Sequence, residues 1–338
     1  MFVLTLLAVV LPWSASAATT PPTPPTPPTT TPTPPTTTTP VAPAPAAGRL
    51  ALSVAGVFGV DRRNVTVTGR ALTVDGVATP FVAGQLVTVH IWKGRRLLKS
   101  ETVRLKPSRS GTSGRFSVRY SSHSPAKLNI TALHDATPEQ VRFVAAPKKV
   151  DVVKPGAGPG STGMFVSLIQ SRLAALHFAV PQDGVYNQLT ANAVLAYRKV
   201  RGWNRIFTLD GGVIHGLLTG VGSFRVRYPH DGRHVEADLT DQTLAEINGS
   251  QVYRIYPISS GKPSTPTVLG RFRVYEKTPG VNSEGMVDSN YFIRGYAIHG
   301  YAEVPTYAAS HGCLRVPIPD APAIYSWVQV GTPVDVYS

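Results

Sequence analysis

Residues 18–47 restrict the fold of this chain most, because they are almost wholly proline, threonine and alanine. Such a segment lacks the apolar side chains that a core requires and stays extended, with polyproline II character. We predict a disordered stalk over 18–47, with folded structure after it. The alternative interpretation is a ligand for a proline-recognition domain.

The first 17 residues indicate export. An apolar run over 2–11 is followed by Pro12, and residues 15–17 (Ala-Ser-Ala) form a small-residue cleavage site. The run is shorter than the ~20 residues that a membrane-spanning helix needs. We therefore predict a signal peptide over 1–17 and a secreted protein at the outer face of the membrane or in the cell wall, the periplasmic space included. A buried N-terminal strand is the alternative.

Residues 48–153 alternate apolar and polar side chains with a period of two, as over 86–91 and 116–120. Short runs of this kind, punctuated by Gly, Pro, Ser and Asp, favour a β-sandwich, and we predict an immunoglobulin-like domain. The pair Lys93-Gly94 predicts a hairpin turn. Residues 154–163 are rich in glycine and proline and predict a linker.

The period becomes helical over 164–220, where Phe165, Leu168 and Leu173 fall on one face. Asp183-Gly184 predicts a turn, and Thr190 is the predicted cap of a second helix. We expect a small helical domain here.

Strand patterns return over 224–338, and this last domain is predicted to be mostly β with one helix from about Pro319. Asn248-Gly249 predicts a hairpin. A strand over 292–298 is expected to lead directly into His299. The predicted fold class is therefore multidomain: a β-sandwich, a small helical domain and a mostly β domain.

Cys313 is the only cysteine in 338 residues. Exported proteins use cysteines in disulfide pairs, so a single thiol is reactive, intermolecular or accidental. A nucleophilic thiol needs a base, which His299 or His311 could supply. Gly300 and Gly312 allow backbone to approach a substrate closely, and the amides of residues 311–313 are placed to stabilise an oxyanion.

A zinc site made of His299, His311 and Cys313 is the competing interpretation of this cluster. No His-x-x-x-His or Cys-x-x-Cys spacing supports it here, so we predict neither a metal nor another cofactor.

The pair His299-Gly300, followed by Ser310–Arg315 (Ser-His-Gly-Cys-Leu-Arg), resembles the catalytic signature of the bacterial L,D-transpeptidases, the YkuD-like family. Residues 235–244 and 256–270 resemble that family's opening strands, and the resemblance covers 235–337. It implies a β-rich, sandwich-like catalytic domain. Residues 168–173 and 183–186 carry a second resemblance, of the helical domain to small peptidoglycan-binding domains.

By position, the resemblance implies that Cys313 is the nucleophile and His299 the general base, oriented by the carbonyl of Gly300. The amides near His311, Gly312 and Cys313 would hold the oxyanion. The expected substrate-side residues are Ser310, Arg315, Tyr291 and Met286, the last two in a lid around 286–292.

The implied reaction is a cysteine acyl transfer that joins tetrapeptide stems of peptidoglycan by 3–3 cross-links. Transfer to water would make the protein an L,D-carboxypeptidase, and a non-catalytic wall-binding protein is the other alternative. The net charge of +14 favours anionic partners, for which cell-wall polymers are the prediction. Nucleic acid is not predicted, because no binding motif accompanies the charge.

Overall fold

The computed structural model describes residues 44–338. The predicted signal peptide and residues 18–43 of the predicted stalk lie outside the described residues. Among the described helices, none is both long and apolar enough to cross a membrane.

Residues 49–153 form eleven strands in two sheets. The strands are β1 (Arg49–Ala55), β2 (Phe58–Val60), β3 (Arg63–Val67), β4 (Ala71–Thr79), β5 (Leu86–Lys93), β6 (Arg96–Arg104), β7 (Lys106–Pro107), β8 (Gly114–Ser121), β9 (Ala126–His134), β10 (Phe143–Val144) and β11 (Lys148–Val153). One sheet has the order β1-β4-β8-β7, and the other has the order β2-β3-β11-β9-β5-β6 with β10 against β9.

The alternation of apolar side chains along the strands explains why the two sheets pack face to face. Val74 and Val118 of one sheet and Val89 and Ile130 of the other are buried in a single core. In strands such as β4, β8 and β9 the intervening side chains are more exposed, as a period of two requires. The hairpin near Lys93 has Gly94-Arg95 as its two-residue loop, because Lys93 pairs with Arg96. The immunoglobulin-like assignment of this domain stays a prediction.

Three helices follow the linker region: α1 (Met164–Ala175), α2 (Gln188–Val200) and α3 (Gly211–Thr219). The prediction that Thr190 caps α2 is wrong. The cap is Asn187, whose side-chain oxygen accepts a hydrogen bond from the Thr190 amide at 3.1 Å. Thr190 is instead fully buried in the first turn, where its hydroxyl donates to the Val185 carbonyl.

The helices share one apolar core with both neighbouring regions. Leu168 and Tyr197 are fully buried in this core, which also contains Val65 of β3 and Ala245 and Ile255 of the C-terminal domain. The helical domain is therefore packed on the C-terminal domain over an apolar surface, and is not a separate module joined to it by a linker alone.

Residues 233–337 form nine strands, a 3₁₀-helix and a short α-helix. They are β12 (Arg233–Asp238), β13 (Thr243–Asn248), β14 (Gln251–Pro257), β15 (Gly270–Arg273), β16 (Glu276–Val281), β17 (Val287–Ile293), β18 (Tyr296–Tyr301), β19 (Leu314–Pro317), the 3₁₀-helix Ile318–Asp320, α4 (Ala321–Trp327) and β20 (Pro333–Tyr337). Their two sheets have the orders β14-β13-β12-β20-β15 and β16-β17-β18-β19.

A single core joins these two sheets, with Val235 and Val334 from the first, Ile298 and Leu314 from the second, and Ile324 from α4. The prediction of a mostly β chain with few helices is confirmed. The hairpin near Asn248 is present, with Gly249-Ser250 as its loop, because Asn248 pairs with Gln251.

The prediction of one continuous strand over 292–298 is wrong. β17 ends at Ile293, which pairs with Tyr296 of β18, so Arg294-Gly295 forms a two-residue turn. Arg294 has a φ of 52°, a left-handed conformation that few non-glycine residues adopt. His299 therefore lies inside β18 instead of following a strand.

Candidate active site

Parallel pairing of β18 and β19 brings the two candidate catalytic residues together. Ile298 pairs with Leu314, and His299 pairs with Arg315. Ile298 and Leu314 are fully buried in the core. Because side chains alternate along a strand, His299 lies with Arg315 on the opposite face of the sheet, and Cys313 directly precedes β19 on that same face.

Cys313 is half-buried, and its sulfur makes hydrogen bonds to the backbone of the β17–β18 hairpin. The Ala297 amide donates to Sγ at 3.5 Å, and Sγ–H points to the Gly295 carbonyl at 3.8 Å. Burial raises the pKa of the Cys313 thiol, against smaller opposing effects of the Ala297 amide and of the Arg315 charge. The resting sulfur at neutral pH is therefore a thiol.

His299 is buried and has a defined tautomer. Its Nδ1 lies 2.9 Å from the Gly300 carbonyl oxygen, which can only accept a hydrogen bond, so Nδ1 carries the proton and Nε2 is the basic nitrogen. Burial lowers the pKa of His299; the bond to Gly300 opposes this and the Arg315 charge adds to it. The resting ring is therefore a neutral imidazole, as a general base requires.

Tyr301 is a residue of this face that the sequence did not indicate. Its ring meets that of His299 edge-on, with centroids 5.6 Å apart, and the Arg315 guanidinium lies 4.0 Å over the same ring. A cation over an aromatic face is favourable, so Tyr301 holds Arg315 beside the imidazole. No motif could have revealed this, because residue 301 meets residue 315 only through strand pairing.

Ser310 organises the loop that carries the thiol. Its hydroxyl donates to the Cys313 carbonyl at 2.6 Å and accepts from the Gly312 amide at 3.1 Å. The Gly312 amide is therefore engaged inside the loop. Within residues 44–338, the amides of His311 and Cys313 have no hydrogen-bond acceptor, which leaves those two as donors for a substrate oxyanion.

Both predicted glycines are required by close packing. Gly312 has a φ of 119°, and a Cβ there would lie 2.5 Å from the Tyr296 ring. A Cβ on Gly300 would lie 2.8 Å from the Cβ of Ala321. Neither position has room for a side chain without movement of its neighbours.

The structure places His311 apart from the buried imidazole of His299. Its side chain is exposed, and its Nε2 accepts a hydrogen bond from Lys262 Nζ at 3.1 Å. The exposed His311 ring therefore bonds Lys262, and among the described residues it makes no hydrogen bond with the Cys313 thiol.

The two predicted lid residues have different surroundings. Tyr291 of β17 pairs with Ala297, which puts it on the same face as His299 and Cys313, partly exposed. Met286 is largely buried, and its amide donates to the Asn282 side chain at 2.9 Å. The segment around 286–292 is not a loop but mostly strand β17, in the hairpin β16–β17.

Within the described part of the chain, no three His, Cys, Asp or Glu side chains converge as a metal site would require. The chemistry available at this face is a neutral thiol on the same sheet face as a neutral imidazole, with two backbone amides that have no acceptor among residues 44–338 and one cation. That set of groups is suited to nucleophilic acyl transfer.

Comparison with protein families agrees with this chemistry. The family described as YkuD, the L,D-transpeptidase catalytic domain, matches residues 232–336. No curated protein sequence matches the chain.

Among solved structures, an L,D-transpeptidase from Xylanimonas cellulosilytica is 32% identical, with a TM-score of 0.52, and the match covers 55% of this chain and 98% of that one. An L,D-transpeptidase from Stackebrandtia nassauensis is 19% identical, with a TM-score of 0.35, and covers 54% and 95%. The catalytic domain of an Enterococcus faecium L,D-transpeptidase is 27% identical, with a TM-score of 0.28, and covers 32% and 98%.

Proposed function

We propose that this chain, which belongs to the L,D-transpeptidase family through its YkuD catalytic domain, forms 3–3 cross-links between peptidoglycan stems with Cys313 as nucleophile. The observation that carries this proposal is the parallel pairing of β18 and β19, which sets His299 and Cys313 on one sheet face. The pKa shifts support it, because they leave both the base and the thiol neutral at rest.

In the first step, Nε2 of His299 takes the thiol proton as Cys313 Sγ attacks the carbonyl carbon after the third residue of a tetrapeptide stem. The C–N bond to the terminal D-alanine then breaks, and the imidazolium returns its proton to the leaving amine. The product is a thioester on Cys313 and free D-alanine. The proton moves from sulfur to nitrogen to the leaving group, so charge is conserved at each stage.

In the second step, an amine from a neighbouring stem attacks the thioester and gives up a proton through His299, which reprotonates the departing sulfur. Attack by water in place of the amine would release a tripeptide, which is the L,D-carboxypeptidase alternative. The partly buried setting of Cys313 favours transfer, because a site that limits water limits hydrolysis.

Other residues of the face have supporting roles in this proposal. The amides of His311 and Cys313 stabilise the tetrahedral oxyanion, while Gly312 and Ser310 hold the loop in shape. Arg315 attracts the carboxylate of the substrate. Tyr291 contacts the stem from the hairpin side. Met286, which is largely buried, stabilises that hairpin.

The other parts of the chain are proposed to deliver this site to the wall. The helical domain is the candidate peptidoglycan-binding module, and the basic charge of the chain suits anionic wall polymers. Export through residues 1–17 and a stalk over 18–47 would place the catalytic domain outside the membrane.

Incubation with purified disaccharide-tetrapeptides, followed by mass spectrometry of the products, tests the proposal. Wild-type protein is expected to give 3–3 cross-linked dimers and free D-alanine, and Cys313→Ala to give neither. Tripeptides without dimers would establish the carboxypeptidase instead. No change in the stems would favour the non-catalytic wall-binding protein.

A further inference from the structure

Lys199 is a buried lysine at the contact between the helical domain and the catalytic domain. It lies near the end of α2, is 1% exposed, and donates from Nζ to the Ile258 carbonyl at 2.7 Å and the Gln242 carbonyl at 3.1 Å. Burial lowers the pKa of Lys199 to about 7, and the charge of Arg205 adds to the effect. An ammonium group is costly to bury, and the two carbonyls are what offset that cost here.

Gln242 continues the connection into the catalytic domain. It is buried with a φ of 55°, and its side chain bonds Ser260 twice. Oε1 accepts from the Ser260 amide at 2.9 Å, and Nε2 donates to the Ser260 hydroxyl at 2.6 Å. The backbone that Lys199 holds at residue 242 therefore fixes the position of residue 260.

Ser260 in turn holds the loop that carries the nucleophile. Its carbonyl accepts from the amides of Ala309 and Ser310, each at 2.9 Å. Ser310 bonds the Cys313 carbonyl through its hydroxyl. Next to Ser260, Ser259 exchanges two hydrogen bonds of 3.0 Å with Arg315. A continuous set of hydrogen bonds thus runs from α2 to Cys313.

Arg205, just beyond α2, makes a second connection of the same kind. Nη2 donates to the Thr240 carbonyl at 2.6 Å, and Nη1 donates to the Thr306 carbonyl at 3.3 Å. Thr306 lies in the segment that leads into Ser310. Lys199 and Arg205 therefore both donate from the helical domain to backbone carbonyls of the catalytic domain, and one of these carbonyls precedes the active-site loop.

We propose that Lys199 is a positioning residue for Cys313, acting through Gln242, Ser260 and Ser310, so that the helical domain is a structural part of the active site. Its effect on acyl transfer rests on the proposed function, whereas its effect on the loop does not. Buried hydrogen-bond networks of this kind act as a unit, and loss of one member is felt along the set.

Hydrogen exchange in the full chain tests this directly, with Lys199→Met as the variant, because methionine keeps the buried volume and removes the donors. We expect the amides of Ser260, Ala309 and Ser310 to exchange about tenfold faster or more, under conditions where the protein is folded. This readout needs no substrate, so it stands even if the chain does not cross-link stems.

Lys277→Met is the matched control. Lys277 Nζ also donates to two carbonyls, those of Tyr325 and Val328, each at 2.5 Å, but at the end of α4. The Lys277→Met substitution should lower the melting temperature and leave hydrogen exchange at the amides of Ser260, Ala309 and Ser310 unchanged. Unchanged exchange in Lys199→Met, or equal acceleration by both variants, would overturn the proposal.

Gln242→Met tests the next link and serves if Lys199→Met does not fold. It should accelerate exchange of the same three amides, and it contradicts the proposal if it does not. Where both variants fold, the double variant should show less than the summed effect of the two, because they interrupt one set of hydrogen bonds. A summed effect would show that Lys199 and Gln242 act separately.

Carboxymethylation of Cys313 followed by intact mass gives an independent readout: its rate should change in Lys199→Met and not in Lys277→Met.

Discussion

At the scale of single residues, the site depends on two groups that are both neutral at rest. Burial raises the pKa of Cys313 and lowers that of His299, so the charged pair is disfavoured until a substrate arrives. Arg315 opposes the first shift and adds to the second. The base and the nucleophile are therefore activated together, by proton transfer during attack.

The pH dependence of thiol alkylation follows from these shifts. Iodoacetamide reacts with the thiolate, so the rate at Cys313, the only cysteine, should rise with pH to a midpoint above about 8.5, the ordinary value for a thiol. Arg315→Ala should move the midpoint higher still, since the guanidinium favours the thiolate. Rates followed by intact mass measure both; a midpoint near neutrality would indicate a resting thiolate–imidazolium pair instead.

The two histidines are expected to differ in their effect on turnover. Loss of a general base costs about 10²–10⁴-fold, so His299→Ala should lose most cross-linking activity. His311→Ala should stay within a few-fold of wild type, because its exposed ring bonds Lys262. Initial rates of cross-linking with tetrapeptide stems compare the two variants. A greater loss in His311→Ala than in His299→Ala would assign the general base to His311.

At the scale of elements, the sequence indicated most strands correctly and failed where backbone conformation was unusual. The strand over 292–298 was mispredicted because Arg294 adopts a positive φ with no glycine at that position to signal it. Helix α3 was not predicted, since it begins at Gly211-Gly212, which normally disfavours a helix. The sequence predicts Thr190 as the α2 cap, whereas Asn187 caps the helix in the structure.

Strand β13 shows a further limit of pattern analysis. Five of its six residues are buried, because one face packs on the catalytic core and the other on the helical domain. An alternating pattern is typical of strands with one solvent-exposed face, so it does not predict a strand that is buried on both faces. The buried Glu246 in this strand could not be placed from the sequence.

Glu246 should make the protein less stable as pH rises. Burial raises its pKa from 4.5 to about 8 in the folded state, and one carboxylate oxygen has no partner among the described residues. The folded protein therefore binds an extra proton between these values, and the free energy of unfolding falls as pH increases through them.

Glu246→Gln should remove this dependence. Between about pH 5 and pH 8, the variant should gain stability relative to wild type by on the order of 3–4 kcal/mol, as linkage predicts for a shift of this size. Urea unfolding at the two pH values measures the difference. A constant difference between variant and wild type would show that Glu246 is ionised in the folded state.

At the scale of the whole molecule, the helical domain and the catalytic domain depend on each other. The apolar surface they share includes Ala245, Ile247 and Ile255, each fully buried. The sequence suggested separate modules because the apolar period changes from helical to alternating near residue 224. A change of period does not reveal which surfaces become buried when the chain folds.

Residues 223–338 expressed alone should be less stable than residues 155–338. The shorter fragment exposes the apolar face of β13 and β14, at about 1.5–3 kcal/mol for each large aliphatic side chain. It also lacks Lys199 and its bonds to the catalytic domain. Thermal unfolding and gel filtration compare the two, and equal melting temperatures would contradict a shared core.

The most direct test of the central claim is the identity of the residue that carries the acyl group. Intact mass of the full chain, quenched in acid during reaction with a tetrapeptide stem, should show a gain equal to the stem minus D-alanine. Peptide mapping should place that mass on Cys313, and Cys313→Ala should show none. An acyl group on another residue, or on the Cys313→Ala protein, would contradict the assignment of Cys313 as the nucleophile.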